Sequence, residues 1–222
     1  KYMSITDNRW SDKVREDVIN SGNAGNFYSG YDNGVSADKL VLWAESHDTY
    51  ANDNGASKYD SVQNINKTWA LVAARANAMS LYLARPESTT QKLGVASKTA
   101  WTNPEVKAVN KFHNAFVGTT EYIAKENGIA YCERGNAGVV LVNPNGSGNV
   151  NVKANKMANG TYIDTITGNT FTVSGMVFQD AYNLDLDRLR RCYICEVDTD
   201  KGMVPFCAYN LTDIHGHALY RK

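Results

Sequence analysis

The 222-residue sequence predicts an α/β region followed by an all-β region and a short cysteine-bearing tail. Three observations carry this. Residues 1–118 alternate apolar strand-like runs with amphipathic helical stretches, the pattern of parallel strands joined by right-handed crossovers. Residues 119–174 break into short strand-like pieces separated by Gly and Asn turns, the signature of a small antiparallel domain. Residues 175–222 hold three of the four cysteines, an asymmetry that suggests a region of different origin.

In the first region "KYMSITD" reads as a short strand and "SDKVREDVI" as a weak helix. "NSGNAGNFYSGYDNG" is a loop by composition, and "KLVLWAES" is a near-continuous apolar strand of the kind covered on both faces. In "DSVQNINKTWALVAARANAM", Val62, Ile65, Trp69, Val72, Ala73, Ala76 and Met79 recur at three- and four-residue steps. This is an amphipathic helix with Asp60 or Ser61 as its N-cap. "SLYLARP" is a strand stopped by Pro86. The next helix has Asn103 as its cap, Pro104 in its first turn, and Gly118 at its end. In the second region "GIAYCERG", "GVVLVNPNG", "NVNVKAN", "GTYIDTITG" and "NTFTVSG" read as strands. In the tail "LDLDRLRRC" is charged and helical in character, and "DTDKG" reads as a turn between two short strands.

Hydrophobic residues make up 43% of the chain and its formal net charge is zero. The first figure allows a real core; the second gives no electrostatic case for a nucleic-acid partner. No apolar run approaches the roughly 20 residues of a membrane span. Thirteen tyrosines and four tryptophans supply flat faces that stack on sugar rings, although on composition alone the aromatic core of a loop-rich secreted-type protein accounts for them better.

The segment with most chemistry is "LVLWAESHDTYAND", where an apolar strand delivers His47 and Asp48 side by side. Ionisable residues at the C-terminal tip of a parallel strand are expected at the active face of a β/α barrel. The structural alternative is that Asp48 caps the following turn and His47 is a satisfied structural histidine.

With "INKTWALVAARANAMSLYLARP" and "NPEVKAVNKFHNAFVGTTE" downstream, this segment resembles the α-amylases of glycoside hydrolase family 13. "HD" matches the family's fourth signature region at the end of the seventh barrel strand. "YMSITDNRW" looks like the sixth strand and "SLYLARP" like the eighth. The resemblance implies the last three β/α units of a (β/α)8 TIM barrel at residues 1–118, then an antiparallel β-sandwich at 119–174. It implies retaining hydrolysis of α-1,4-glucosidic bonds in a starch-like α-glucan, with Asp48 as the transition-state-stabilising carboxylate and His47 as a substrate-binding residue. The family's nucleophile and acid/base lie on the fourth and fifth strands, and its calcium ligands in earlier loops. None of these matches a position in this chain, which is therefore expected to be a fragment, inactive alone and without a metal in its amylase part. Three β/α units cannot close a barrel, so their open edges predict self-association. The family's usual localisation is extracellular.

The tail resembles something else. Cys192, Cys195 and Cys207 stand at C-x2-C-x11-C spacing with His215 and His217 beyond, a ligand set suited to zinc or an iron–sulfur cluster. "AYNLDLDRLRRC" and "GMVPFCAYN" resemble the C-terminal segment of radical S-adenosylmethionine enzymes of the tetraether-lipid-synthase-like group. The motif that holds their radical-generating cluster is absent, so no radical chemistry is expected, and the tail's localisation stays open. Two unrelated partial resemblances meeting near residue 175 imply a chimeric chain or a joined reading frame.

Overall fold

The computed structural model describes residues 3–21, 25–28, 30–31, 34–52, 56–92, 94–95, 100–146, 151–168, 170–173, 185–191, 195–198, 202–209, 211, 213, 215, 217 and 219. The chain divides into two compact units, Lys1–Val173 and Ser174–Lys222.

The first unit opens with strand β1 (Ile5–Thr6) and helix α1 (Asn8–Glu16). Asp7 caps α1 by accepting from Trp10 N at 3.2 Å. A π-helical turn over Asp17–Ser21 and a short helix α2 (Gly25–Tyr28) follow. Strand β2 spans Leu40–Trp43, helix α3 His47–Ala51, helix α4 Val62–Ala74, and strand β3 Met79–Leu81. Ser61, one of the two expected caps, accepts from Asn64 N at the start of α4. Helix α5 spans Pro104–Ala115, with Asn103 as cap and Pro104 in its first turn.

The three strands form one parallel sheet in the order β1-β2-β3. Leu40 and Leu42 face the helices and are buried against Trp10, Val14, Ile65, Trp69 and Val72. Val41, Met79, Trp43 and Leu81 share the other face, where Met79 and Leu81 are about 60% exposed. Neither β1 nor β3 has a second partner strand among the described residues.

Pairing becomes antiparallel beyond α5. Strands β4 (Glu121–Glu126), β5 (Ile129–Arg134) and β6 (Gly138–Val142) form one sheet; β7 (Gly160–Ile163) and β8 (Thr170–Val173) form another. The turn from β4 to β5 is Asn127-Gly128, with φ of 51° and 78°. Positive φ at both central residues is what a two-residue hairpin needs to match strand twist. The expected strand "NVNVKAN" is not formed by residues 151–155. At its end the chain is held instead by the buried Glu133 carboxylate, which accepts from Asn155 N at 2.8 Å and from the following Lys156 N at 2.6 Å. The change in texture at residue 119 thus marks a switch of sheet type, while one core runs through both parts: Ala130, Cys132 and Val142 pack with the residues under the parallel sheet.

The second unit contains helix α6 (Leu186–Arg190), an antiparallel hairpin of β9 (Cys195–Asp198) and β10 (Gly202–Pro205), and helix α7 (Phe206–Tyr209). The expected "DTDKG" turn falls largely on residues 199–201, outside the described ones.

Candidate functional site

The last residue of each parallel strand, Thr6, Trp43 and Leu81, lines a single cleft of about 890 Å³. Helix α1 adds Asn8, Asp12, Arg15 and Glu16 to its wall; α3 and its flanks add Ser46, His47, Asp48, Thr49 and Asn52. Loop sites at the C-terminal ends of parallel strands gather polar groups over a rigid sheet, so the strand ends fix where these side chains sit.

His47 and Asp48 lie beyond the strand tip, not on it. The expectation of a strand running through "KLVLWAES" with the pair at its tip is corrected: β2 stops at Trp43 and the pair occupies the first turn of α3. The reason is local. Ser46 forms a reciprocal capping box with Thr49: the Ser46 hydroxyl accepts from Thr49 N at 3.3 Å, and the Thr49 hydroxyl accepts from Ser46 N at 3.0 Å. Such a box satisfies two of the amides a helix start leaves unpaired, and so favours a helix beginning at His47.

Both side chains open to solvent, His47 at 79% and Asp48 at 64% exposure, with His47 Nε2 3.3 Å from Asp48 Oδ1. Asn52 Nδ2 donates to the same oxygen. An imidazole, a carboxylate and an amide therefore stand together on one rim. Between them they can donate to and accept from the vicinal hydroxyls of a sugar.

Sequence reasoning did not single out Asp12, Arg15 and Glu16. Their spacing places all three on one face of α1, the signal that could have found them. Arg15 is 4% exposed; its guanidinium donates to Asp60 Oδ2 at 2.8 Å and lies 3.4 Å from Asp12 Oδ1. Its cation balances the acidic wall from behind. Glu45, the acid nearest the pair in sequence, is buried and does not line the cleft.

In the tail, Cys192 lies outside the described residues. Cys195 is half-buried on β9, opposite Pro205, and Cys207 is buried on α7, neither in a disulfide. His217 Nδ1 lies 3.1 Å from Asp213 Oδ2, and the His215 and His217 rings are 6.2 Å apart. Among the described residues no three His, Cys, Asp or Glu side chains gather closely enough to hold a metal ion. Nor is any helix among them long and apolar enough to cross a membrane.

No family model matches the sequence. Curated relatives do. An α-amylase of Clostridium acetobutylicum is 34% identical over 131 residues, covering 58% of this chain and 16% of that protein. An α-amylase of Butyrivibrio fibrisolvens is 30% identical over 149 residues, covering 60% of this chain and 15% of that protein. These matches support an amylase-like relationship. The chain spans only about 15–16% of the length of the curated relatives it matches.

Proposed function

We propose that this chain supplies part of the substrate cleft of an α-amylase-type glycoside hydrolase acting on a starch-like α-1,4-glucan by a retaining mechanism. What carries the reading is the convergence of three parallel strand ends and the His47–Asp48 turn on one open cleft, together with the similarity to two α-amylases. In this reading Asp48 accepts from ring hydroxyls of the sugar at the cleavage point, and His47 bonds a neighbouring hydroxyl. Bonds to hydroxyls that strengthen as the ring becomes oxocarbenium-like contribute several kcal/mol to the transition state. The nucleophile and the acid/base are carboxylates carried by elements other than these 222 residues, so the chain alone binds glucan without cleaving it. An extracellular site of action, usual for the family the chain resembles, goes with this reading.

Affinity electrophoresis through starch-containing gel tests it. The chain is expected to be retarded, with Asp48→Asn and His47→Ala each relieving the retardation and no reducing sugar released. Unretarded migration of the parent chain, or retardation indifferent to both substitutions, overturns the reading.

A further inference from the structure

Helix α3 has five residues, and only Tyr50 among them is buried. A single helical turn does not hold itself in water, yet the geometry of the cleft rim depends on this one. Its support comes from a residue about forty positions away. Arg85, in the segment after β3, grips the Glu45 carboxylate with two parallel bonds, Nε to Oε1 at 3.0 Å and Nη2 to Oε2 at 2.5 Å. The same guanidinium donates to Ser57 O at 3.0 Å and Asp60 O at 2.9 Å. Glu45 is 1% and Arg85 15% exposed at the side chain.

From this pair the contacts lead upward to α3. Ser57 Oγ donates to Glu45 Oε2 at 2.6 Å and lies 3.2 Å from Thr49 Oγ1; Ser57 N donates to Thr49 O at 2.9 Å. Thr49 is the capping-box partner of Ser46. On the other side Arg85 lies 4.9 Å from the Tyr50 ring centroid, and Tyr50 Oη donates to Pro86 O at 3.0 Å. Among the described residues, the side-chain anchors of α3 beyond its own cap, the His47–Asp48 contact and the Asp48–Asn52 bond thus lead to Glu45, Ser57 or the Arg85–Pro86 segment. None of Glu45, Ser57 and Arg85 lines the cleft.

We propose that Arg85 and Glu45, acting through Ser57, are positioning residues that fix the turn carrying His47 and Asp48 toward the cleft. The significance of that placement for sugar binding rests on the glucan reading above. The fork geometry matters, because a lysine presents a point charge and cannot hold both carboxylate oxygens at once.

The test uses the full chain and two variants, Arg85→Lys and Ser57→Ala. Amide hydrogen exchange at Thr49 and Tyr50 and the NMR signals of the His47 ring are read without sugar, then with maltoheptaose. The amides of Ala130 and Cys132 in β5 serve as the reference. Expected in both variants is roughly five- to tenfold faster exchange in α3, the loss of about one hydrogen bond's protection. The His47 ring signals should also shift, with β5 unchanged. Unchanged α3 and His47 overturn the proposal, and so does acceleration of β5 by the same factor in Ser57→Ala, which keeps the ion pair. Should Arg85→Lys loosen β5 as well, Ser57→Ala decides. A parent chain whose His47 ignores maltoheptaose defeats the glucan reading alone, because the sugar-free measurement still decides the positioning role.

Discussion

Removing the Glu121 carboxylate alone should strand a buried cation, so that losing both partners of the ion pair costs less than the two single losses added together. Glu121 opens β4 and meets Arg75, which caps the end of α4. Arg75 Nε lies 3.1 Å from both carboxylate oxygens, and Nη2 lies 3.0 Å from Oε1. Ala76 N donates to Oε2 at 2.6 Å. The guanidinium, 6% exposed at the side chain, also lies 4.5 Å from the Tyr31 ring centroid and 5.3 Å from that of Trp10. Glu121→Ala strands this cation among aromatic rings. Loss of one partner from a buried pair costs about 3–5 kcal/mol. The cation–π contacts are present in the parent as well and offset nothing, while the orphaned Ala76 N–H adds about 1–3 kcal/mol. Because the Glu121 side chain is 22% exposed the low end applies, and a net loss of about 4 kcal/mol is expected, which for a chain this size lowers Tm by roughly 10 °C. The double variant Arg75→Leu/Glu121→Ala, with no charge left to bury, should lose less than the sum of Glu121→Ala and Arg75→Leu by more than 1 kcal/mol. Urea unfolding followed by tryptophan fluorescence, to which Trp10 beside the guanidinium contributes, measures all three. Strict additivity, or a Glu121→Ala cost below about 1 kcal/mol, refutes the reasoning.

Other consequences are as direct. A Cβ at Gly138 would stand 2.2 Å from Phe116 Cζ and 2.8 Å from Phe112 Cε2; Gly138→Ala should therefore cost about 1–3 kcal/mol of overpacking, partly recovered by Phe116→Leu in a thermal melt. Burial, with Glu121 adding to it, pushes the Cys132 thiol up from 9.0 to about 12, against the pull of Arg134 and Arg75. The unfolded thiol releases its proton first, so stability is full below pH 9.0 and falls as pH rises toward about 12. The whole loss is about 4 kcal/mol by linkage. Urea midpoints between pH 8 and pH 10.5 should fall, and Cys132→Ala should flatten that slope.

Local chemistry was legible where it is local. Ser61, Asn103 and Pro104 announce α4 and α5 because capping and fixed φ act within one turn. Strand β4 was missed: "EYIAKE" carries charges that suit an edge strand, and the Asn127-Gly128 turn after it was the available signal. The apolar run before His47 read as strand too far, because the Ser46–Thr49 box outweighs apolar content at that point. His47 and Asp48, which the sequence singles out, line the cleft with Asp12, Arg15 and Glu16; the spacing of these last three marks one helix face, and only the fold shows what that face meets. The Arg85–Glu45 and Arg75–Glu121 contacts join positions 40 and 46 residues apart. Nothing in local pattern encodes such pairings; the fold brings them together, across the parallel sheet's loops for Arg85–Glu45 and between the end of α4 and β4 for Arg75–Glu121.

The most direct measurement is a crystal structure of the chain soaked with maltoheptaose. The account predicts a glucose unit in the cleft above Thr6, Trp43 and Leu81, with its hydroxyls within hydrogen-bond distance of Asp48 and His47. Sugar bound elsewhere with that cleft empty, or sugar in the cleft with both side chains turned away from it, contradicts the account.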